Sequence, residues 1–152
     1  MIKTTLFLIC TIFSLTSCSA QLKKGAFSVK EGITGKVIWK QGNHMPSPDR
    51  VNKSNGKGVK KELYIFKPIN VARVIQKNSF FEINETPVAK TESTENGFFE
   101  ISLPPGKYSV FTKEEQGFFA NRFDGDGNIN VVEVMPGKPA YLLITIDYKA
   151  SY

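Results

Sequence analysis

The chain has 152 residues, of which 20 are Lys or Arg and 14 are Asp or Glu, giving a formal net charge of +6 at pH 7. This length accommodates one domain of ordinary size that buries about two-thirds of its surface. Two cysteines and one histidine are too few for a disulfide-rich scaffold. No recognised nucleic-acid-binding motif accompanies the positive charge. We therefore expect a packed hydrophobic core and no nucleic-acid partner.

Residues 1–17 have the pattern of an export signal. Lys3 precedes a nearly continuous apolar run over residues 6–15, which fits a secretory signal and is shorter than the about 20 residues that span a bilayer. The residues Leu15-Thr16-Ser17-Cys18 then resemble a lipobox, whose cysteine receives lipid before cleavage. We expect residues 1–17 to be a lipoprotein signal peptide and Cys18 to anchor the mature chain to a membrane.

An ordinary secretory signal cleaved after Ala20 is the alternative, and it predicts a secreted chain without lipid. In the lipoprotein interpretation Cys10 is discarded with the signal, so no disulfide holds the mature domain. Ser19 after the cysteine favours the outer membrane, and Lys23-Lys24 differ from acidic surface-export tags. We expect residues 18–29 to form a tether and the domain to face the periplasm.

Residues 30–152 are predicted to form one domain built of strands. Apolar residues recur at every second position in several segments, which is typical of half-buried strands. The clearest sets are Ile33, Val37 and Trp39; Phe99, Ile101 and Leu103; Tyr108 and Val110; and Leu142, Ile144, Ile146 and Tyr148. Turn dipeptides such as Asn96-Gly97 and Asp126-Gly127 separate the runs. The pattern predicts an all-β fold, an antiparallel sandwich or barrel of about seven strands.

Four segments resemble the carboxypeptidase regulatory-like domain family. They are Gly32-Ile33-Thr34-Gly35-Lys36-Val37, Gln41-Gly42-Asn43-His44-Met45-Pro46, Thr94-Glu95-Asn96-Gly97-Phe98-Phe99-Glu100-Ile101 and Leu103-Pro104-Pro105-Gly106-Lys107-Tyr108-Ser109-Val110. The resemblance implies a single transthyretin-like (prealbumin-like) antiparallel β-sandwich. It also implies an accessory role, because members of the family flank catalytic domains or stand on lipoproteins.

The Pro104-Pro105-Gly106 corner has a physical explanation in this resemblance. The prolines end a strand without needing a ladder donor. Tyr108 is then expected to bury its ring while its hydroxyl reaches a backbone acceptor. A basic insertion over residues 49–59 departs from the family pattern.

The insertion carries much of the positive charge of the chain, with Arg50, Lys53 and Lys57 followed by Lys60 and Lys61. Its Asn, Ser and Gly content is typical of a solvated loop. Contact with anionic lipid or lipopolysaccharide headgroups is the alternative.

The sequence offers little catalytic chemistry. His44 is the single histidine, and a zinc site normally needs several His, Cys or carboxylate ligands. A catalytic nucleophile of the Ser-His-Asp or Cys-His type would have to use His44 as its base. Glu114 and Glu115 are interpreted as hairpin charges. We expect no enzyme activity, no metal centre and no cofactor.

The segment Asp124-Gly125-Asp126-Gly127-Asn128 carries oxygen ligands at alternate positions, as a calcium loop does. Its sixth position is Ile129 and its twelfth is Met135, so it is not an EF-hand. A tight turn is the favoured interpretation. Weak calcium binding by Asp124, Asp126 and Asn128 stays open.

Three phenylalanine doublets suggest an interaction patch. Neighbours on a strand face opposite sides, and alternation places Phe80, Phe98 and Phe111 outward. If the three rings are neighbours, they form an apolar patch that fits a protein partner. The alternative is that another part of the chain covers them.

Carbohydrate binding is a narrower version of the same idea, since sugars bind on flat aromatic platforms. The single tryptophan, Trp39, is expected to lie in the core and not on such a platform. The sequence thus predicts a lipid-anchored envelope module that holds a protein partner. The alternative is a module that binds a glycan or peptide.

Overall fold

The computed structural model describes residues 28–45 and 56–152, and within these ranges the fold is all-β apart from a 3-10 turn at Val71–Arg73. The all-β prediction is confirmed. The strands are β1 (Gly32–Asn43), β2 (Lys57–Gly58), β3 (Glu62–Phe66), β4 (Ile75–Lys77), β5 (Phe80–Glu82), β6 (Ala89–Glu92), β7 (Phe98–Ser102), β8 (Gly106–Glu114), β9 (Gly117–Phe119), β10 (Val131–Val134) and β11 (Pro139–Ser151).

The structure describes eleven strands, whereas the sequence predicts about seven. Several of the additional strands are only two to four residues long. They form two sheets. The four-stranded sheet has the order β11-β1-β2, with β7 also paired to β1. The seven-stranded sheet has the order β4-β5-β9-β8-β3-β6, with β10 also paired to β8. Every pair is antiparallel except β1 with β11, which runs parallel from Gly32↔Pro139 to Asn43↔Ser151.

The main core lies between the two sheets. The four-stranded sheet contributes Ile33, Val37, Leu142, Ile144 and Ile146, each at most 3% exposed. These are the positions that the alternation in β1 and β11 predicts. Each such side chain stabilises the fold by about 1.5–3 kcal/mol relative to an exposed one. The β-sandwich prediction is therefore confirmed at the level of the packed sheets.

A second core covers the opposite face of the seven-stranded sheet. Phe66, Phe81 and Phe111 on the strands pack with Ile69 and Ile129 from the loops. The loops are held there by backbone hydrogen bonds, because Ile129 N donates to the Ile69 carbonyl at 2.8 Å. The amide of Ile69 also donates to Ser109 Oγ at 2.9 Å. Both faces of this sheet are consequently buried at its centre, whereas the outer strand β4 is exposed.

The second core overturns part of the predicted interaction patch. Phe80 lies in the main core between the sheets, and Phe111 is fully buried in the second core, so their predicted outward exposure is wrong. Phe111 does point away from the main core, but the loops cover it. Phe98 alone of the three is exposed, at 44%. The three rings lie in the main core, in the second core and on the outside of the four-stranded sheet, so they form no common patch.

The Pro-Pro-Gly corner has the geometry expected from the sequence. Tyr108 is buried, and its hydroxyl donates to the Pro104 carbonyl at 2.9 Å. The predicted Asn96-Gly97 hairpin is also present, with Gly97 N bonded to the Thr94 carbonyl at 2.7 Å. Gly97 has φ 84°, and a Cβ there would lie 2.1 Å from the Val37 carbonyl oxygen. Both the turn and the close approach require glycine.

Candidate functional site

The outer side of the four-stranded sheet carries three exposed apolar side chains around a lysine. In the register, Lys36 of β1 pairs with Phe98 of β7 on one side and with Leu143 of β11 on the other. Tyr141 lies two residues before Leu143 on β11, and Leu143 and Tyr141 are 42% and 60% exposed. The ammonium group of Lys36 lies 4.9 Å from the centroid of the Phe98 ring. We call Lys36, Phe98, Tyr141 and Leu143 the outer face; its residues lie on the three adjacent strands β7, β1 and β11.

Ser28, the first residue that the structure describes, lies beside this face. Ser28 donates from its amide to Glu100 Oε2 at 2.8 Å and from its hydroxyl to Oε1 at 2.6 Å. Glu100 is on β7, two residues from Phe98. These hydrogen bonds from Ser28 lower the pKa of Glu100. Most of the predicted tether and Cys18 itself lie outside the described residues.

A groove of about 410 Å³ opens at the other end of β11, where segments from both sheets meet. We call it the aromatic groove, and it is lined principally by Gln76, Asn78, Asn121, Phe123, Tyr148 and Tyr152. Phe123 and Tyr152 are 50% and 64% exposed. The Tyr152 ring meets the His44 ring at 5.8 Å with an interplanar angle of 31°, and the exposed remainder of the Phe123 and Tyr152 rings can contact a ligand.

Polar side chains fix the shape of the aromatic groove. Asn121 Nδ2 donates to Asp147 Oδ1 at 2.8 Å and to the Thr145 carbonyl at 3.1 Å. The hydroxyl of Tyr152 donates to Asp147 Oδ2 at 3.0 Å. Burial, followed by this hydrogen bond, raises the pKa of Tyr152. Asp147 therefore has both carboxylate oxygens engaged.

A second hollow, of about 340 Å³, lies on the other side of Tyr148 and contains a buried ion pair. Glu114 forms this pair with Lys61, and its Oε2 also accepts a hydrogen bond of 3.1 Å from the Tyr148 hydroxyl. Burial, with the charge of Glu114 next, raises the pKa of Tyr148 to about 12. Glu114 Oε1 is buried and has no hydrogen-bond partner among the described residues.

Glu114 lies at the β8–β9 hairpin, as interpreted from the sequence, but its side chain is buried. It ends β8, whose alternate residues Tyr108, Val110 and Thr112 are all buried. Period two from Tyr108 places Glu114 on the core side of the sheet, so the signal was present in the sequence. Glu115, the next residue, is exposed.

Trp39 is half-buried and packs against the main core, as expected. Its ring meets Tyr148 edge-on at 5.2 Å. The ammonium groups of Lys61 and Lys149 lie 5.6 and 5.8 Å from the indole centroid. Trp39 therefore forms a wall of the second hollow rather than an open flat platform.

The Asp124 loop is a tight turn, as the sequence favours. Asp124 Oδ1 accepts from the amides of Asp126 at 3.0 Å and Asn128 at 2.8 Å, and Oδ2 accepts from Asn128 Nδ2 at 2.8 Å. These bonds from Asn128 lower the pKa of Asp124. The carboxylate thus organises its own loop.

His44 lies at the end of β1, where its Nε2 is 3.2 Å from the Gln41 carbonyl oxygen. The described residues contain no group of three or more His, Cys, Asp or Glu side chains arranged to hold a metal ion. Of the predicted basic loop, Arg50 and Lys53 lie outside the described residues, and Lys60 pairs with Glu92 at 3.2 Å.

No helix within residues 28–45 and 56–152 is long and apolar enough to cross a bilayer. Comparison of the chain with protein family models, with curated proteins and with solved structures gave no match.

Proposed function

We propose that this protein is a lipid-anchored, non-catalytic interaction module of the cell envelope, with a carboxypeptidase regulatory-like β-sandwich as its domain. The lipobox at Cys18 supports the anchor, and the buried Tyr108 corner supports the family. The membrane is the outer one and the domain faces the periplasm. The proposal assigns no reaction and no cofactor to the chain.

The observation that carries the proposal is the outer face. Phe98 on β7 and Tyr141 and Leu143 on β11 are 42–60% exposed, and they lie on either side of Lys36 on β1. Three large exposed apolar side chains grouped around a lysine on one sheet face are typical of a docking surface. With Lys36 among them, the complementary partner is a protein surface that is apolar and marked by an acidic group.

The position of the tether favours a membrane-proximal partner. Ser28 is bonded to Glu100 at the edge of the outer face. The ten residues from Cys18 to Ser28 span at most about 36 Å when fully extended. An anchor at Cys18 would therefore hold the outer face within that distance of the membrane surface.

Co-purification tests this function. The acylated full-length protein is crosslinked in its own cells and purified, together with Phe98→Ser, Leu143→Ser and the control Ile75→Ser, which alters an equally exposed apolar residue on β4. We expect one stoichiometric envelope protein with wild type and with Ile75→Ser. The same protein, once purified, should bind Phe98→Ser at least about tenfold more weakly. Equal binding by all variants would remove the outer face from consideration.

A ligand-binding module is the second candidate, and a specific observation favours it. The aromatic groove is concave and has polar groups converging on exposed rings, which is the general form of a small-molecule site.

A further inference from the structure

The aromatic groove has a chemistry of its own that the docking function does not use. We propose that it is a binding site for a neutral saccharide. The inference is independent of the outer face, because Tyr141 and Tyr152 lie at opposite ends of β11. Its volume of about 410 Å³ is within the range of small-ligand sites, and it fits a short stretch of a glycan rather than a protein surface.

The charge of the groove selects an uncharged ligand. Asp147 is the one charged side chain among its described lining residues. The carboxylate is engaged by Asn121 through Oδ1 and by Tyr152 through Oδ2. An anionic ligand meets no cation here, and a cationic ligand would have to compete with both donors. A neutral ligand needs no cation to balance its charge and does not compete for Asp147.

The polar groups of the groove match hydroxyl groups. Gln76 donates through Nε2 to the Asn78 carbonyl at 3.0 Å, so its amide oxygen is turned elsewhere. The side chains of Asn78 and Ser79 make no hydrogen bond to another described residue. These amide and hydroxyl groups both donate and accept, and so do the hydroxyls of a sugar. Convergent polar groups of this kind provide orientation and specificity in ligand-binding sites.

The aromatic residues match the remaining face of a sugar ring. One side of a pyranose presents C–H groups, which pack on an aromatic face while the hydroxyls bond at the rim. Phe123 and Tyr152 are 50% and 64% exposed, although the Tyr152 ring also meets the His44 ring at 5.8 Å. Tyr148 forms the floor between the groove and the buried Glu114. The Tyr148 ring is itself fixed by Phe80 and Phe119 at 4.8 and 5.3 Å.

Hydrogen bonds and strand pairing position Gln76 and Asn121 in the groove. Gln76 belongs to β4, which pairs with β5 and leaves Asn78 in the connecting turn at φ 54°. Asn121 is bonded to the backbone of β11 through Thr145. Groups held by hydrogen bonds before a ligand arrives lose little conformational entropy when it binds.

The test uses the full-length protein and an array of neutral and charged oligosaccharides, followed by titration calorimetry with the strongest neutral hit. The variants are Tyr152→Ala, Gln76→Ala and Tyr152→Phe. The matched control is Tyr141→Ala, which removes an equally exposed tyrosine from the outer face. Circular dichroism of each variant confirms that it is folded.

We expect the wild type to bind at least one neutral oligosaccharide. Tyr152→Ala and Gln76→Ala should weaken binding at least about tenfold, while Tyr141→Ala should leave it unchanged. Tyr152→Phe keeps the ring, so its affinity should remain within about threefold of wild type. Absence of any neutral hit, binding of charged glycans alone, or equal binding by the groove variants and the control would each overturn the proposal. None of these outcomes bears on Phe98 and the docking function.

Discussion

The Tyr148 hydroxyl donates a hydrogen bond of 3.1 Å to Glu114 Oε2 and thereby joins the two sheets of the sandwich. Tyr148 belongs to β11 of the four-stranded sheet, and Glu114 ends β8 of the seven-stranded one. Lys61 neutralises the carboxylate from the segment before β3. Three separate parts of the chain therefore meet at one buried charge, and the same tyrosine forms the floor of the aromatic groove.

Removal of this buried carboxylate should destabilise the fold. Glu114→Ala leaves Lys61, whose side chain is 25% exposed, without its counter-ion, and it leaves the Tyr148 hydroxyl without its acceptor. We expect a loss of about 2–3 kcal/mol in the free energy of unfolding, below the value for a fully buried pair. Urea denaturation measures it. Glu92→Ala is the control, because Glu92 is 52% exposed in its pair with Lys60 and should cost less than about 1 kcal/mol.

Alkaline pH should act on the same tyrosine. The pKa of Tyr148 is raised from 10.0 to about 12 in the folded protein. Its contribution to stability is therefore complete below pH 10, because the phenol is protonated in both states. It is lost as the pH rises towards 12, because the unfolded chain loses this proton first. Screening keeps the loss below the about 2.7 kcal/mol that the full shift would carry.

Lysines also titrate in this pH range, so the stability of wild type is compared with that of Tyr148→Phe, which keeps the same lysines. The stability difference between wild type and Tyr148→Phe should shift in favour of the variant between pH 10 and pH 12. Phenolate absorbance should show one fewer late-titrating tyrosine in the variant. A difference that is constant over this range would contradict the raised pKa.

Alanine substitutions should reveal, through the free energy of unfolding, that the loops bury the second face of the seven-stranded sheet. Phe111→Ala removes a fully buried ring from the second core, and we expect a cost of about 3–5 kcal/mol. Phe98→Ala removes a ring that is 44% exposed, and it should cost less than about 1 kcal/mol. Thermal or urea denaturation distinguishes the two. Similar costs at both positions would mean that the loops do not cover Phe111.

Replacement of Cys18 should abolish membrane attachment. Cys18→Ser removes the thiol that receives the lipid, so we expect the protein to lose incorporation of labelled fatty acid and to leave the membrane fraction. Ser19→Ala, next to the anchor, should leave both unchanged. If the wild type begins at Gln21 and carries no lipid, the secreted alternative is correct and the anchor is not.

The sequence predicts the fold class well because alternation is a local signal. Val37 and Ile144 are buried where period two places them, and Tyr108 meets the Pro104 carbonyl as the corner motif implies. The parallel pairing of β1 with β11 is different, since it joins residues more than one hundred positions apart. No local pattern specifies such a register.

The functional surfaces were harder to predict, for a physical reason. Alternation tells which residues share a face, but not whether a loop covers that face. Phe111 points away from the main core as expected and is buried by Ile69 and Ile129. The aromatic groove combines the β4–β5 turn, Asn121 and the end of β11, segments that only the tertiary fold brings together.

Site-specific photo-crosslinking in intact cells tests the central claim most directly. A photoreactive amino acid replaces Phe98 or Leu143 on the outer face, or Ile75 on β4 as the control. If the outer face holds a partner, positions 98 and 143 should give the same crosslinked envelope protein and position 75 should not. The absence of a product at positions 98 and 143, or the same product at all three, would contradict the account.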